Sequence, residues 1–267
     1  MPELPEVETF TRNLRPALVG RQVLSIGLFW PRTLAAPSFE QFQGQLPGQR
    51  IEQVTRRAKY FHLVLSGGHL LIHLRMSGDL LLRPSSCSPQ PHDRLHLALD
   101  SGETLVFNDT RKFGRVWFVE NPQDVLGKLG PEPLSDEFTP EMLHAALQSH
   151  HRQLKPLLLD QSFLAGMGNI YSDEALHLSG LHPLRQSATI SYEETRKLFD
   201  AIRTVLETGI ENNGASIDWV YRGGNFQNHF RVYGRADEPC PGCGAPIQRI
   251  LVGQRSTHFC PVCQPRA

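Results

Sequence analysis

The chain has little cysteine, and its formal net charge is zero. The first feature argues against a disulfide-rich protein, and the second means that overall charge does not indicate a nucleic-acid or membrane partner. Only five of its 267 residues are cysteine, and four of these lie between residues 240 and 263. This distribution argues against a disulfide framework and favours a metal site near the end of the chain. Lysine plus arginine and aspartate plus glutamate both number 27, so any basic surface has to be local.

Signals for membrane insertion and secretion are also missing. No apolar run approaches the roughly 18–20 residues that cross a bilayer. The first residues lack the basic-then-apolar pattern of a signal peptide. We therefore expect a cytoplasmic protein. A length of 267 residues allows one large domain or two modest domains with a substantial core.

The first half of the chain mixes one helix with many strands. Apolar residues at helical spacing predict an amphipathic helix over residues 4–19, ending at Gly20. Residues 23–119 contain short strand-like runs at hairpin spacing, which is typical of a sandwich or barrel. A loop rich in serine and proline over residues 84–91 contains Cys87, which we interpret as an exposed thiol.

The second half carries helix-start signals. Thr139 followed by proline predicts one helix start, and a capping box that begins at Ser191 predicts another. The second helix should run to the Asn-Asn-Gly sequence that ends at Gly214. We place the domain boundary near residue 130. The predicted fold is α+β: an N-terminal helix with an antiparallel β-sandwich over residues 1–130, a helical domain over 131–230 and a metal-binding hairpin over 231–267.

The first six residues, Met-Pro-Glu-Leu-Pro-Glu, suggest covalent chemistry. Removal of Met1 would leave Pro2 with a free secondary amine, and an α-amino group has a pKa of roughly 7.7–8.0. The adduct of such an amine with a carbonyl is an iminium cation, a strong electron sink. Glu3 and Glu6 could serve as proton donor and charge stabiliser. Taken alone, these residues also fit an ordinary chain start, since many proteins begin Met-Pro.

The cysteines form the strongest local signal. They are arranged as two Cys-x-x-Cys turns separated by residues 244–259, and the four are Cys240, Cys243, Cys260 and Cys263. Two such turns at the ends of a hairpin predict a closed, tetrahedral, structural zinc site. A redox role for either pair is the alternative. The hairpin between them carries Arg249, Arg255 and His258 and almost no acid, so we expect it to face phosphate.

Motifs in the same order along almost the whole chain resemble bacterial formamidopyrimidine-DNA glycosylase. The N-terminal motifs are Pro2-Glu3-Leu4-Pro5-Glu6-Val7-Glu8-Thr9, Arg56-Arg57-Ala58-Lys59-Tyr60, His73-Leu74-Arg75-Met76-Ser77-Gly78 and Asp109-Thr110-Arg111-Lys112-Phe113-Gly114-Arg115. The later ones are Leu129-Gly130-Pro131-Glu132-Pro133-Leu134, Gly166-Met167-Gly168-Asn169-Ile170-Tyr171, Val232-Tyr233-Gly234-Arg235 and the four-cysteine segment with Gln254-Arg255.

The resemblance implies a bifunctional DNA glycosylase and AP lyase. Such enzymes remove 8-oxoguanine and formamidopyrimidines from duplex DNA and then cut the strand by β,δ-elimination. Pro2 would attack C1′ of the damaged nucleotide, and Glu3 would move a proton on the sugar. The resemblance also implies a monomer in the bacterial cytosol, associated with the nucleoid, that binds double-stranded DNA and one structural Zn²⁺ but no membrane.

The remaining site residues follow from the same resemblance. The expected catalytic residues are Pro2, Glu3, Lys59 and Arg255. The expected DNA contacts are His73, Lys155, Asn169, Met76, Arg111 and Phe113. Asn169, in the helix–two-turn–helix element that the resemblance implies, and Lys155 are expected on the backbone. Met76 and Phe113 are expected to fill the gap left by an everted base, and Arg111 to bind the partner base that is left behind. Glu6 and Glu174 are expected in the substrate pocket, and the four cysteines hold zinc. Without the resemblance, Met76 and Phe113 would be interpreted as core residues, and Glu174 as a partly exposed helix carboxylate.

The sequence departs from the family pattern in three places. Arg75 stands where glycine is usual, and Thr110-Arg111-Lys112 replaces Pro-Arg-Arg. Residues 221–230 form a shorter stretch than the loop that usually covers the everted base, which leaves the lesion preference open. One alternative is an endonuclease VIII-type enzyme for oxidised pyrimidines. Those enzymes usually have glycine where Leu4 stands and lack the Met76, Arg111 and Phe113 set. The other alternative is a DNA-binding protein without catalysis, although Pro2 and Glu3 are both present.

Overall fold

The chain forms two compact units in a computed structural model that describes residues 1–216 and 223–266. One unit comprises Met1–Lys128, and the other comprises Leu129–Ala215 together with residues from 224 onward. The predicted three domain ranges stay a prediction. Among the described residues, no helix is long and apolar enough to cross a bilayer.

The first unit contains most of the strands. Its elements are α1 (Leu4–Leu18), β1 (Val23–Leu28), β2 (Leu34–Ala36), α2 (Phe39–Gln45), β3 (Ile51–Arg57), β4 (Tyr60–Leu65), β5 (Gly68–His73), β6 (Gly78–Pro84), β7 (Asp93–Leu99), β8 (Glu103–Asp109), β9 (Arg115–Val119) and α3 (Gln123–Leu126). The predicted helix and hairpins are thus present, and the helix ends before Gly20, whose φ of 84° places it in the left-handed region. The loop thiol of Cys87 is exposed, as expected.

Two sheets enclose one core in this unit. The strand orders are β1-β7-β8-β6 and β2-β9-β5-β4-β3. One apolar cluster takes side chains from both sheets and from α1, among them Val7, Leu63, Leu97 and Phe107. This confirms the predicted helix and sandwich. In this unit the pairing is antiparallel except between the short edge strand β2 and β9, which run parallel.

The second unit is helical and ends in a hairpin. Its elements are α4 (Pro140–Gln148), α5 (Leu154–Leu159), α6 (Asn169–Leu178), α7 (Tyr192–Glu211), β10 (Gln248–Val252) and β11 (Arg255–Phe259). The Thr139 hydroxyl caps α4 by accepting the backbone N–H of Met142 at 3.3 Å. Ser191 and Glu194 form the predicted capping box of α7. The helix α6 packs against α7 and against β11, which brings the hairpin onto the helical core.

Candidate functional site

The start of α1 is buried and fixed by a second capping box. Pro2, Glu3 and Glu6 are all buried. The backbone N–H of Glu3 donates to Glu6 Oε2 at 2.7 Å, and the Glu3 side chain accepts the backbone N–H of Glu6. The Glu6 carboxylate therefore fixes the chain directly after Pro2.

An ion pair attaches this helix to the turn that carries Lys59. Arg56 on β3 donates through Nε to Glu8 Oε2 at 3.0 Å and through Nη1 to the carbonyl of Ala58 at 2.9 Å. Burial alone would raise the pKa of Glu8, but the guanidinium groups of Arg12 and Arg56 hold it below its usual value. Lys59 follows Ala58 and is only 4% exposed. The first turns of α1 and the turn that carries Lys59 are thus held together by these interactions.

His73, at the end of β5, is a neutral hydrogen-bonding group. Burial, and then the charges of Arg75 and Lys59, lower its pKa to about 3. Its Nδ1 accepts the backbone N–H of Arg75 at 3.0 Å, so the ring proton lies on Nε2. The ring stacks edge-on against Tyr60, with the centroids 4.7 Å apart. His73 can therefore donate one hydrogen bond without carrying charge.

The backbone at Arg75 has a conformation that favours glycine, the residue that the resemblance implies at this position. Its φ is 55°, in the left-handed region that glycine adopts without strain. The hydrogen bond from its N–H to His73 holds the arginine in that conformation. Its exposed guanidinium adds a positive charge next to Met76.

Met76 and Phe113 lie at the surface and not in the core. Met76 is 38% exposed on the β5–β6 connection, and Phe113 is 47% exposed on the β8–β9 connection. The guanidinium carbon of Arg111 lies 5.1 Å from the centroid of the Phe113 ring. The interpretation of Met76 and Phe113 as core side chains is therefore wrong, and this unit presents two exposed apolar side chains, one of them beneath a cation.

In the second unit, Lys155 is buried at the turn that begins α6. Its ammonium group is fully buried and donates to Asp173 Oδ1 at 2.6 Å and to the carbonyl of Asn169 at 2.7 Å. Asn169 is the first residue of α6, as predicted, and its Nδ2 donates to the carbonyl of Ser256 on β11 at 2.9 Å. The structure thus brings Lys155 and Asn169 together and joins both to the hairpin.

Glu174 holds a short backbone segment. Its carboxylate accepts the N–H groups of Arg231, Val232 and Tyr233 at 2.8, 3.0 and 2.8 Å. Burial raises its pKa despite these three hydrogen bonds. The interpretation as a partly exposed carboxylate is wrong, because Glu174 is 1% exposed. Of the stretch 221–230, whose shortness left lesion preference open, positions 221 and 222 lie outside the described residues.

Four sulfurs converge in the hairpin region. The Sγ atoms of Cys240, Cys243, Cys260 and Cys263 all lie within 4.8 Å of one another. Sulfurs around a tetrahedral zinc ion, at Zn–S of about 2.3 Å, lie about 3.8 Å apart. The separations of 3.8 Å between Cys240 and Cys263 and 3.4 Å between Cys243 and Cys260 fit this geometry. The predicted closed four-cysteine zinc site is confirmed.

His177 on α6 makes a further contact to this cluster. Its Nδ1 accepts the Nε–H of Arg231 at 3.2 Å, so its Nε2 carries the proton and lies 3.3 Å from Cys240 Sγ. Burial, and then Arg231 and Arg235, lower the pKa of His177 to about 4. An N–H aimed at a thiolate supports a metal ligand from outside the coordination sphere.

The turn of the hairpin presents Arg255. Gly253 and Gln254 both have positive φ, 55° and 63°, as in a type I′ turn. Arg255 follows as the first residue of β11 and is exposed. His258, further along the strand, donates its N–H to Asp173 Oδ2 at 3.0 Å.

Two carboxylates that connect parts of the candidate site were not predicted from the sequence. Asp173 joins Lys155 to His258, and Asp109 joins two loops of the first unit. Asp109 was part of a motif without an assigned role, and Asp173 lay outside the motifs. The position of Asp173 next to Glu174 was the only indication for Asp173.

Family models match three stretches of the chain. The formamidopyrimidine-DNA glycosylase N-terminal domain matches residues 1–116, the formamidopyrimidine-DNA glycosylase H2TH domain matches 129–220, and the zinc finger found in FPG and IleRS matches 237–266. Together with the four-cysteine cluster, they define a zinc-finger DNA glycosylase of the helix–two-turn–helix class.

Relatives extend the match to the full chain. The formamidopyrimidine-DNA glycosylases of Chloroflexus aggregans and Chloroflexus aurantiacus are each 48% identical, over 99% of this chain and 98% of the relative. A Lactococcus lactis FPG mutant in complex with a Fapy-dG containing DNA superimposes with a TM-score of 0.93 at 36% identity, over 99% of this chain and 100% of that chain. The Lactococcus lactis Fpg bound to an abasic site containing DNA gives the same TM-score and identity. The chain belongs to the formamidopyrimidine-DNA glycosylase family, a family of DNA-repair enzymes that carry AP lyase activity.

Proposed function

We propose that the protein excises oxidised purines from duplex DNA through a covalent intermediate on Pro2 and then cuts the strand. The observation that carries this proposal is the start of α1, where a capping box fixes the chain directly after Pro2 and Arg56 attaches the helix to the Lys59 turn. A nucleophile held on a buried, capped helix is pre-organised for attack. Relatives named formamidopyrimidine-DNA glycosylase support the substrate class. The Lactococcus lactis structure in complex with a Fapy-dG containing DNA supports it too.

The chemical steps follow from the secondary amine. The Pro2 nitrogen forms a bond to C1′ as the bond to the damaged base breaks, and the base leaves with a proton. The sugar ring opens with proton transfer at Glu3, which leaves an iminium at C1′. Loss of a C2′ proton expels the 3′ phosphate, and a second elimination expels the 5′ phosphate. Hydrolysis of the iminium releases Pro2.

The basic and amide groups serve the phosphates and the damaged base in this proposal. Lys59 lies at the strand turn beside α1 and contacts the reacting nucleotide. Arg255 and the turn of Asn169 bind the backbone, the latter at a helix N-terminus, where N–H groups and the helix dipole favour an anion. The ammonium group of Lys155 is buried, so in this proposal Lys155 acts by holding the Asn169 carbonyl and not through the direct backbone contact that the resemblance implied. His73 donates a hydrogen bond as a neutral group.

In this proposal, the β5–β6 and β8–β9 loops fill the gap that the everted nucleotide leaves in the duplex. Eversion of a nucleotide costs a few kcal/mol, and an inserted apolar side chain offsets part of that loss. Met76 and Phe113 are exposed and apolar, and Arg111 lies over Phe113. The five donors of Arg111 match the O2 and N3 acceptors of an orphaned cytosine, whereas adenine would turn an amino donor toward them.

The zinc site has a structural role in the proposal. Four thiolates fill the coordination sphere of a tetrahedral zinc ion, so bound zinc would stabilise the hairpin that presents Arg255. Every covalent step is assigned to residues of the protein chain.

A strand-cleavage assay on three lesions tests the function. Duplexes with 8-oxoguanine, formamidopyrimidine or thymine glycol at one position are incubated with the protein, and the matched control is Glu3→Gln. We expect cleavage at the two purine lesions, with phosphates on both sides of a one-nucleotide gap, and little from Glu3→Gln. Cleavage mainly at thymine glycol would indicate an endonuclease VIII-type specificity. Tight binding without cleavage of any lesion would indicate a DNA-binding protein.

A further inference from the structure

One buried carboxylate, Asp109, lies where the loops with the exposed apolar side chains meet. Met76 lies on the β5–β6 connection, and Arg111 and Phe113 lie on the β8–β9 connection. The first residue of β6, Gly78, pairs with Asp109, the last residue of β8. Asp109 is 1% exposed, and its carbonyl accepts Arg94 Nε–H at 2.7 Å, so its backbone is fixed as well.

The Asp109 side chain accepts hydrogen bonds from both loops. Its Oδ1 accepts the hydroxyl of Ser77, which follows Met76, and the backbone N–H of Arg111 at 3.1 Å. Its Oδ2 accepts the N–H of Gly114 at 2.7 Å. The Ser77 oxygen also accepts the Arg111 N–H at 3.1 Å. One carboxylate thus holds both ends of the loop that carries Arg111 and the residue next to Met76.

The β8–β9 loop also packs closely against β8 at Gly114. A Cβ added at Gly114 would lie 2.2 Å from the Phe107 ring and 3.2 Å from Asp109 Oδ2. The side chains that the loops present are 38% and 47% exposed. Because these side chains project into solvent, their positions depend on the backbone beneath them, and that backbone is fixed by Asp109.

We propose that Asp109, through Ser77, is a positioning residue that holds the Met76 loop and the Arg111–Phe113 loop as one rigid wedge and thereby sets discrimination between partner bases. This inference rests on the proposed function, and extends it to a residue that touches neither lesion nor partner base. A guanidinium reads a base edge only within hydrogen-bond distance and angle. Loops that move separately lose that selectivity before they lose the chemistry at Pro2.

The Asp109→Asn variant tests the inference. An asparagine keeps one acceptor and turns an NH₂ group toward either the Arg111 or the Gly114 N–H, so one donor faces another donor. The measurement is the ratio of single-turnover excision rates of 8-oxoguanine opposite cytosine and opposite adenine. We expect this ratio to fall by about threefold or more, given the usual effect of one unsatisfied buried donor. Borohydride trapping on an abasic site should change by less than about twofold, because an abasic nucleotide is everted most easily.

Two further variants keep the test decisive. Asp93 is a matched control, since it is 3% exposed in the same sandwich and accepts hydrogen bonds from Arg83, His96, Asn108 and the N–H of Gln90. Asp93→Asn should lower thermal stability but keep the ratio. Ser77→Ala should lower the ratio in the same direction, and it decides the matter if Asp109→Asn does not fold.

The outcomes separate the inference from the proposed function. A parent protein that prefers cytosine, with folded Asp109→Asn or Ser77→Ala variants that keep the parent ratio, overturns the inference and leaves the function standing. An equal loss of the ratio in Asp93→Asn also overturns it, because the effect would then be general destabilisation. A parent protein that excises no 8-oxoguanine overturns both.

Discussion

At the residue scale, Glu6 stabilises the start of α1, a role that was not predicted when Glu6 was assigned to the substrate pocket. It is 3% exposed, and its carboxylate accepts the backbone N–H of Glu3 at 2.7 Å. A glutamine at this position of a capping box can make the same bond, whereas alanine cannot.

We predict that Glu6→Ala lowers the free energy of unfolding by about 1 kcal/mol, the usual loss for a helix cap, and slows trapping at Pro2. Glu6→Gln should keep most of the stability. Urea unfolding and single-turnover trapping measure the two effects. If Gln destabilises as much as Ala, the negative charge matters and the cap does not.

A second residue-scale prediction concerns pH. Burial lowers the pKa of His73 from 6.5 to about 3 in the folded protein. Below pH 6.5 the unfolded chain therefore binds a proton that the folded protein does not, and stability falls as the pH drops toward 3. Between pH 7 and pH 5.5 the loss from this one group is about 1 kcal/mol.

In His73→Asn, which retains an acceptor for the Arg75 N–H, that part of the pH dependence should disappear. Urea unfolding of parent and variant at both pH values measures it. The parent also contains His62 and His177, each with a pKa of about 4. They remain in the variant, so only the difference between the two proteins is attributed to His73. Identical pH dependence in both would contradict the assignment.

At the element scale, the zinc hairpin is attached to α6 at three points. Asp173 accepts the His258 N–H, Asn169 donates to the Ser256 carbonyl, and His177 lies against Cys240. Arg255 shares β11 with Ser256 and His258. Loss of zinc should therefore displace Arg255 and disturb the Asn169 turn together.

We predict that Cys243→Ser weakens binding to lesion-containing duplex by about tenfold or more. The slope of log affinity against log salt should become shallower by about one for each phosphate that the protein no longer neutralises. The first unit should still melt cooperatively. Cys87→Ser is the control, because Cys87 is exposed and lies outside the cluster. A zinc-free variant with unchanged affinity and salt dependence would contradict the role of the hairpin.

Local signals predicted elements well in this chain because their causes are local. A hydroxyl next to a proline and a Ser-x-x-Glu box placed the starts of α4 and α7, and the cysteine spacing placed the metal cluster. The parallel pairing of β2 with β9 was not predictable, since it joins strands far apart in sequence.

The environments of site residues were harder to predict, because they depend on contacts between residues that are far apart in sequence. Burial of Lys155 depends on Asp173, and Asp173 in turn bonds His258, 85 residues further along. The exposure of Met76 and Phe113 depends on how two strands are paired at Gly78 and Asp109. Composition alone assigns such apolar side chains to a core.

At the scale of the whole molecule, a formal net charge of zero has to be reconciled with a polyanionic ligand. Many cations are paired internally, as Arg56 is with Glu8 and Lys155 with Asp173. Exposed arginines such as Arg75, Arg111 and Arg255 supply local positive charge. Because the proposed function places Arg111 against the orphaned base, we expect the partner strand to matter as much as the lesion.

We therefore predict that 8-oxoguanine is excised about tenfold or more faster opposite cytosine than opposite adenine, because adenine would leave buried donors of Arg111 unpaired at a cost of about 1–3 kcal/mol. Arg111→Ala should shrink this ratio while Pro2 can still be trapped on an abasic site. Single-turnover rates on the two duplexes measure it. Equal rates with the unmodified protein would show that Arg111 does not recognise the orphaned base.

Covalent trapping tests the central claim most directly. Borohydride added during reaction with 8-oxoguanine duplex should reduce the iminium and join DNA to the protein through the Pro2 nitrogen. Mass spectrometry of the N-terminal peptide locates the crosslink, and a protein with a tag ahead of Pro2 should give none. A crosslink at Pro2 is the result we predict, and a crosslink that maps to Lys59 or to any other lysine would contradict the account.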